Sequence, residues 1–467
     1  MEKTLKTRIL IVVFDALRPD FVTPDLMPHL HAFQKTGVRY LNSRSTFPTE
    51  TRVNQSAVIT GCYPSRHGIV ANRFPEPDGA PGEVLDSGND VALEATFDRL
   101  DGRLFDVPTL GELLKAAGRS YATLSAGTAG GGRLINHAIA RGGGFRLAMR
   151  RPEATVPENH MAKIISRVGP LPPFTRPATD WISWAVECYL AYVEPEITPD
   201  VMLLWLCEPD ASFHQLGIGA AGTLEALRRS DSEFGRILAE HAAEIETGQL
   251  QIITLSDHGQ ISLAGDRLDI VAHFNEAGFA AAAKPEDETD YIIVMGNAGG
   301  VWVRDSDPRL ITDMVEWARE QDWCGPIFTR DGAAGTLTQN LIGTLHRRAP
   351  DVALIMRYDA KLNDWGYPGT SVHASNYTAG GGCHGGLSPY ELQTFLAMAG
   401  GNIKANQSIA VPAGISISPP RFCTCLDWTF QSTWTDGYCM KPWQAVERCR
   451  RGAPLKNTFP RPTQTAP

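Results

Sequence analysis

Short apolar runs rich in β-branched residues alternate with helical stretches along the first half of the chain. The runs predict strands at Ile9–Phe14, Val38–Asn42, Tyr121–Ser125, Val201–Cys207 and Leu250–Leu255. Helical spacing of apolar residues between them predicts helices at Met27–Lys35, Leu110–Ala117, Asp180–Val193 and Leu224–Ile245. This alternation is typical of right-handed βαβ crossovers, and it predicts an α/β fold whose mostly parallel central sheet is covered by helices on both faces.

Acidic and imidazole side chains follow three of these strands directly. Asp15 comes after the first strand, Asp210 and His214 come after the 201–207 run, and Asp257 and His258 come after the 250–255 run. Ligands of parallel sheets bind beyond the carboxyl ends of the strands. We therefore expect these side chains to meet at one edge of the sheet.

The pattern divides the chain into four segments. Residues 1–260 carry the core and its motifs, with a long Gly-, Pro- and Asp-rich loop over 73–106. Residues 261–375 predict an inserted α+β cap with strands at Tyr291–Met295, Val301–Arg304 and Val352–Arg357 around a helix at Ile311–Gln321. Residues 376–414 return to the core with His384 among glycines and a predicted helix at Pro389–Met398. Residues 415–467 form an atypical tail.

Composition narrows the classes of function. The chain has 467 residues, is 43% hydrophobic and carries a net charge of −9, which argues against a general nucleic-acid or membrane-surface binder. No signal peptide or apolar span of membrane length is visible. The nine cysteines form no regular disulfide framework, so the expected location is a reducing cytoplasm.

Seven oxygen and nitrogen donors could hold metal ions. They are Asp15, Thr51, Asp210, His214, Asp257, His258 and His384. Asp and neutral His are ligands for Zn²⁺ and similar metals, and seven donors suit two sites of three and four ligands. A site with three protein ligands keeps a position open for substrate. A metal-stabilised structural protein is the alternative, but it has no need of an open position or of Thr51.

The stretch from Phe47 to Asn72 places Thr51 at a loop-to-helix junction, with Asn54 one helical turn later. By itself this stretch predicts an N-capped helix with Thr51 as its cap. The surrounding metal donors favour a second interpretation, in which a metal lowers the pKa of the Thr51 hydroxyl and makes it a nucleophile. The amide of Asn54 and the helix N-terminus would then be placed to donate hydrogen bonds to an anionic substrate.

These motifs resemble the alkaline phosphatase superfamily, and within it the type I phosphodiesterase/nucleotide pyrophosphatase branch that includes phosphonoacetate hydrolase. The resemblance covers residues 8 to about 410 and rests on Phe-Pro-Thr-Glu-Thr51, Glu208-Pro-Asp210-x-x-x-His214, Ser256-Asp257-His258-Gly259 and Gly382-Cys-His384-Gly. It implies the superfamily's α/β/α sandwich with an inserted cap. It implies a small anionic phosphate-ester substrate and two divalent metal ions, most simply Zn²⁺.

The same resemblance implies a role for each ligand. One metal is held by Asp210, His214 and His384. The other is held by Asp15, Thr51, Asp257 and His258. Thr51 would form a covalent phosphothreonine that water later hydrolyses, with net retention at phosphorus, and Asn72 matches a position near the ester.

Departures from the family pattern bear on the substrate. Nucleotide-cleaving members carry an aromatic residue directly after the threonine, where this chain has Arg52, a candidate partner for a second anionic group or a solvated helix residue. The phosphonate-cleaving members use lysines in a loop where this chain has Gly127–Arg133, so Arg133 is a candidate replacement. We therefore expect a phosphodiesterase. The alternatives are a phosphonate or phosphomonoester hydrolase, or a non-catalytic descendant that binds a phosphorylated ligand or metal. The oligomeric state does not follow from the sequence.

The tail from Ile415 lacks the ending that the resemblance implies. Four of the nine cysteines crowd between Cys423 and Cys449, without helix or strand periodicity. Back-translation in a frame offset by two bases can spell a family-like ending. We hypothesise that residues 415–467 are frameshifted, in which case these cysteines form no site; a divergent C-terminus is the alternative.

Overall fold

The structure, a computed structural model, describes residues 7–77, 83–141, 144–286 and 288–417. Its core is a sheet of eight strands. From one edge to the other they are Gln407–Ile409, Val38–Tyr40, Leu396–Gly400, Leu250–Leu255, Arg8–Phe14, Val201–Leu206, Tyr121–Ser125 and Phe145–Ala148. Neighbouring strands are parallel, except that Leu396–Gly400 runs antiparallel to both of its neighbours. The predicted α/β class with a mostly parallel sheet is confirmed.

The Arg8–Phe14 strand occupies the middle of this sheet. Six of its seven residues are buried, and Val12 lies opposite Leu204 on one side and Thr254 on the other. A strand that helices cover on both faces has no polar face, which explains its unbroken apolar sequence. The longer helices around the sheets are Pro28–Thr36, Thr51–Thr60, Asp90–Arg99, Leu110–Ala116, His160–Val168, Thr179–Cys188, Ala221–Glu240 and Pro308–Arg319. Shorter helices are Pro64–His67, Ala129–Leu134, Glu194–Ile197, Asp210–Leu216, Ala242–Glu246, Ile270–Glu276 and Pro389–Leu392.

A second sheet lies within the segment predicted as a cap. Its strands, in order, are Ala281–Ala282, Tyr291–Met295, Ala298–Val303, Val352–Met356, Cys324–Thr329 and Leu337–Thr338. This sheet has a hydrophobic cluster of its own, in which Phe274 and Met314 are fully buried. A four-stranded sheet of Tyr358–Leu362, Pro368–Ser371, Ile261–Leu263 and Gly382–Cys383 joins the two ends of the segment. The cap boundaries at 261 and 375 stay a prediction.

Two predicted elements were wrong. The expected loop over 73–106 contains a two-stranded ribbon of Arg73–Pro75 and Val84–Asp86 and then the Asp90–Arg99 helix, whose start is capped by the Asn89 side chain. The expected helix Pro389–Met398 ends at Leu392, and Leu396–Gly400 is a strand. Pairing with two neighbouring strands overrides the helix propensity of its Leu, Ala and Met residues.

The atypical tail lies outside the described residues from position 418 onward, so the frameshift hypothesis and its four cysteines stay predictions. The five cysteines that the structure does describe are buried and form no disulfide with one another: Cys62, Cys188, Cys207, Cys324 and Cys383. No described helix has both the length and the apolar character that a membrane span requires. The expected cytoplasmic location stays a prediction.

Candidate metal centre and nucleophile

The three strand ends converge, and together with His384 from a separate loop they bring six predicted ligands into two groups. Asp15, Asp257 and His258 form the first group, and Asp210, His214 and His384 form the second. Within each group one ligand atom of every member lies within 4.8 Å of the others. The Asp210–Leu216 helix places Asp210 and His214 on one face, and His384 arrives from the loop after Gly382–Cys383.

The first group is more deeply buried than the second, although its Asp15 borders the smaller of two cavities described below. His258 Nε2 lies 3.2 Å from Asp257 Oδ2 and 3.7 Å from Asp15 Oδ1, and the side chains of Asp257 and His258 are fully buried. Ala16, next to Asp15, has a φ of +61°, and its N–H donates to Asp257 Oδ1 at 3.0 Å. This sharp turn at the end of the strand holds the two aspartates of the group together.

The second group is more open. Asp210 Oδ1 lies 3.2 Å from His214 Nε2 and 3.6 Å from His384 Nε2, and the Asp210 side chain is 20% exposed. The rings of His258 and His384 stack with centroids 3.9 Å apart, which makes the two groups adjacent. The six residues therefore form one continuous centre.

Hydrogen bonds to backbone carbonyls fix the orientation of all three imidazoles. The Nδ1 atoms of His214, His258 and His384 lie 2.8–3.0 Å from the carbonyl oxygens of Gly382, Gly259 and Thr49. A carbonyl only accepts, so Nδ1 carries the proton and Nε2 presents its lone pair to the centre. Metal-ligating histidines have this arrangement.

Two free carboxylate oxygens suit the first group to a cation. Asp15 Oδ2 accepts from Trp205 Nε1 at 2.8 Å, whereas its Oδ1 is buried and meets no hydrogen-bond donor among the residues that the structure describes. Asp257 Oδ2 is buried in the same way. Burial and the neighbouring charges of Asp257 and Asp210 raise the pKa of Asp15 well above its usual range. A divalent cation among these oxygens would offset both the burial and the repulsion.

Thr51 lies at this centre. It is the first residue of the Thr51–Thr60 helix, with Glu50 rather than Thr51 as the N-cap, and its Oγ1 is 3.0 Å from His258 Nε2. The hydroxyl is therefore directed out of the helix toward the first group. The start of a ten-residue helix also provides backbone N–H groups that favour an anion.

Asn54 and Asn72 occupy different environments. Asn54 is fully buried, its Oδ1 accepts from the N–H and hydroxyl of Thr46, and its Nδ2 donates to the Glu50 carbonyl at 3.0 Å. Asn54 therefore supports the loop that precedes the helix, and a direct contact of its amide with substrate stays a prediction. Asn72 Oδ1 accepts from the Arg52 N–H at 3.1 Å, which leaves the Asn72 amide N–H groups for the adjoining cavity.

The two predicted arginine contacts also differ. Arg52 lines two cavities next to Thr51. Arg133 lines neither of them and forms an ion pair with Glu94 at 3.0 Å, so the structure does not bring Arg133 to the centre. The glycines before it allow close packing rather than anion binding, because a Cβ on Gly130 would lie 2.2 Å from the Ser87 carbonyl oxygen.

Three residues to which the sequence analysis gave no role support the centre. Gln260 Nε2 donates to Asp210 Oδ1 at 2.6 Å, and the Tyr377 ring stacks on His214 with centroids 3.9 Å apart. Buried Glu208 accepts from Ser212 and from the Ala178 N–H at 2.8 Å, and burial raises the pKa of Glu208 to about 7. Glu208 is within the quoted motif, but Gln260 and Tyr377 have no sequence signal.

Two cavities open at the centre. One, of about 470 Å³, extends from Thr51 and His384 to apolar side chains of the second sheet such as Ile293 and Trp302. The other, of about 390 Å³, extends from Thr51 and Asp210 toward three arginines. Each has the size of a small-molecule site.

Solved structures of known proteins share this fold. The murine ectonucleotide pyrophosphatase/phosphodiesterase 5, in an inactive threonine-to-alanine form in complex with AMP, matches with a TM-score of 0.60 and 16% identity over 92% of this chain and 98% of that one. The human protein matches with a TM-score of 0.58 over 91% and 96% of the two chains, also at 16% identity.

Sequence relatives point to the same group. The bis(5'-adenosyl)-triphosphatase enpp4 of Xenopus laevis is 25% identical over 263 residues, which are 56% of this chain and 49% of that protein. The mouse ectonucleotide pyrophosphatase/phosphodiesterase family member 3 is 21% identical over 57% of this chain and 26% of that protein. The matches span half or less of these relatives. The model of the type I phosphodiesterase/nucleotide pyrophosphatase family matches residues 9–355, and the chain therefore belongs to this family of hydrolases.

Proposed function

We propose that the chain is a metal-dependent phosphodiesterase that hydrolyses a phosphate diester or pyrophosphate through a covalent phosphothreonine at Thr51. The observation that carries this proposal is the position of the Thr51 hydroxyl, 3.0 Å from His258 and next to two groups of carboxylates and imidazoles. A structural threonine at a helix start needs neither group.

The proposal assigns the ligands to two ions as the family resemblance implies. Asp15, Thr51, Asp257 and His258 would hold one divalent ion, and Asp210, His214 and His384 would hold the other. Such ions, most simply Zn²⁺, lower the pKa of a bound hydroxyl and neutralise charge on phosphoryl oxygens. Each group has buried oxygens or directed imidazole nitrogens to receive its ion.

The residues then perform two displacements. Thr51 Oγ forms a bond to phosphorus as the bond from phosphorus to the leaving oxygen breaks. Water next attacks the phosphothreonine, the bond between Thr51 Oγ and phosphorus breaks, and the hydroxyl is restored with a phosphomonoester as product. The amide of Asn72 and the N–H groups at the helix start would stabilise the non-bridging oxygens.

One activity panel tests the reaction class. Its substrates are bis-p-nitrophenyl phosphate, p-nitrophenyl phosphate, a p-nitrophenyl phosphonate ester and phosphonoacetate, each with Zn²⁺ and then with a chelator. We expect the diester to be hydrolysed fastest and the chelator to abolish turnover. A dominant monoester or phosphonate rate would contradict the diester assignment and support the corresponding alternative.

A threonine variant tests the nucleophile. Thr51→Ala should lower kcat by on the order of 10³-fold or more, because the covalent route is lost, whereas Thr51→Ser should retain measurable turnover. Full metal-dependent turnover by Thr51→Ala would remove Thr51 from the mechanism. In the murine relative a threonine-to-alanine form is inactive, which supports this expectation.

A nucleotide is a second candidate substrate. The murine relative binds AMP, and the larger cavity of this chain has apolar walls that could hold a base. Arg52 occupies the position at which nucleotide-cleaving members have an aromatic residue that stacks on the base, and this argues against a nucleotide substrate. Hydrolysis of p-nitrophenyl thymidine 5′-monophosphate at least tenfold faster than bis-p-nitrophenyl phosphate would favour the nucleotide.

A further inference from the structure

The smaller cavity carries a cluster of positive charge beside the second ligand group. Arg52, Arg150 and Arg176 line it, together with Tyr377. Thr51 and Asp210 line the same cavity, so the arginines face the space in which the ester reacts. These arginines come from three distant parts of the sequence.

None of the three guanidinium groups has a carboxylate partner within the described parts of the chain. Arg52 Nε is buried and makes no hydrogen bond. The neighbouring Arg151, by contrast, pairs with Asp90 at 2.5 Å. Burial lowers the pKa of Arg150, and the nearby charge of Arg176 also lowers it. Such a cluster is suited to an anion.

Aromatic packing and hydrogen bonds hold two of the arginines in place. The guanidinium of Arg150 lies 3.4 Å from the ring centroid of Phe174, and that of Arg176 lies 5.1 Å from the same centroid. Trp181 Nε1 donates to the Ala126 carbonyl at 3.1 Å. The Ala178 N–H donates to Glu208, which fastens the loop carrying Arg176 to the start of the Asp210 helix. The cluster is therefore arranged before any ligand binds.

We propose that Arg52, Arg150 and Arg176 form a subsite for a second anionic group, a phosphoryl or carboxylate group covalently attached to the ester that is hydrolysed at Thr51. This inference rests on the proposed function and deepens it, because it defines the substrate as a phosphate ester with a second negative end. The larger, apolar cavity would then receive the other substituent of the phosphate, the one that does not carry the second negative group.

Substrates that share one leaving group and differ in the charge of the retained substituent test the subsite. The set is p-nitrophenyl ethyl phosphate, p-nitrophenyl 2-carboxyethyl phosphate, p-nitrophenyl 2-phosphonoethyl phosphate and p-nitrophenyl phosphorylcholine. We expect kcat/KM to be roughly 10- to 100-fold higher for the better anionic ester than for the neutral one, and lowest for the cationic one. The two anionic esters distinguish a carboxylate from a phosphoryl group.

Arginine variants connect that preference to the cluster. Arg150→Gln and Arg176→Gln should each lower the preference for the anionic ester by about tenfold and leave kcat/KM for the neutral ester within about twofold. Arg176 is exposed, so its substitution tests the subsite even if Arg150→Gln misfolds. Arg151→Gln is the matched control, since Arg151 adjoins Arg150 in sequence but does not line the cavity. An unchanged preference in Arg176→Gln would overturn the proposal.

A binding measurement separates this proposal from catalysis. The Zn²⁺-loaded chain is titrated calorimetrically with 3-phosphonopropionate and with propylphosphonate, which differ in one carboxylate. We expect the carboxylate to strengthen binding by about tenfold in the wild type and in Arg151→Gln, but not in Arg176→Gln. This result would support the subsite even if the chain hydrolysed no ester. Absence of hydrolysis would contradict the proposed function but not the subsite. Equal or undetectable binding of the two phosphonates to the wild type would overturn the subsite.

Discussion

The two ligand groups use similar residues in different surroundings. In the first group Asp257 and His258 are fully buried and line neither of the two cavities, and Asp15 lines the smaller one; in the second group Asp210 is 20% exposed and lines both. The Thr51 hydroxyl lies 3.0 Å from His258, a member of the buried group. Under the proposed function, this difference predicts a division of labour in which the buried group activates the Thr51 hydroxyl and the open group faces the substrate.

Removal of one carboxylate from each group gives the largest expected effect. Asp257→Asn should lower kcat by on the order of 10³-fold, because activation of Thr51 depends on the buried group. Asp210→Asn should lower kcat/KM by on the order of 10²-fold, with a larger share of the loss in KM, because this group faces the substrate. Steady-state kinetics with bis-p-nitrophenyl phosphate measure both. If Asp257→Asn and Asp210→Asn changed kcat by the same factor and KM by the same factor, the two groups would not have different roles.

Removal of one supporting donor from each group should give smaller effects. Trp205→Phe deletes the donor to Asp15, and Gln260→Met deletes the donor to Asp210. Each should weaken one of two bound metal ions by about 10- to 100-fold and leave the other nearly unchanged, because such donors orient a single ligand. Competition with a chromogenic chelator measures the two affinities. If either variant weakened both ions equally, the groups would be one coupled site.

A histidine outside both groups gives the smallest expected effect and a pH dependence. His67 is fully buried, its Nε2 has no hydrogen-bond partner, and burial followed by the charges of His346 and Arg348 lowers its pKa to about 3. The unfolded chain therefore binds this proton at higher pH than the folded protein. The contribution of His67 to stability is complete above about pH 6.5 and is lost as pH falls toward 3, by at most ~1.4 kcal/mol per pH unit.

The variant His67→Asn isolates this contribution from the other titrating groups, since Asn retains an acceptor for the Ile69 N–H. The free energy of unfolding, measured by urea denaturation between pH 4 and 8, should fall less steeply with acid in the variant than in the wild type. Parallel curves for the two proteins would show that a different group carries the acid sensitivity.

The sequence predicted the parts of the fold and site that depend on local pattern. The buried Arg8–Phe14 strand and the acidic strand ends that meet at Asp15, Asp210 and Asp257 follow from an apolar run, a crossover rule and the position of polar residues. The Asp90–Arg99 helix also has a local signal, because Asn89 is a good N-cap residue. The Gly and Pro residues around it led instead to the prediction of a loop.

Other parts depend on contacts between distant residues. Leu396–Gly400 has the composition of a helix, and only its two strand neighbours make it a strand. The pairing of Arg133 with Glu94 and the meeting of Arg150 with Arg176 over one aromatic ring are tertiary events with no periodicity or motif. Local patterns therefore located the candidate metal ligands, whereas the arginine cluster beside them could be found only from the fold.

The stereochemical course at phosphorus tests the central claim most directly. A p-nitrophenyl phosphorothioate diester of known configuration is hydrolysed in ¹⁸O-labelled water, and the configuration of the product is determined. Two displacements, one forming and one breaking the bond between Thr51 and phosphorus, predict net retention of configuration. Net inversion would show a single displacement by water and would contradict Thr51 as the nucleophile.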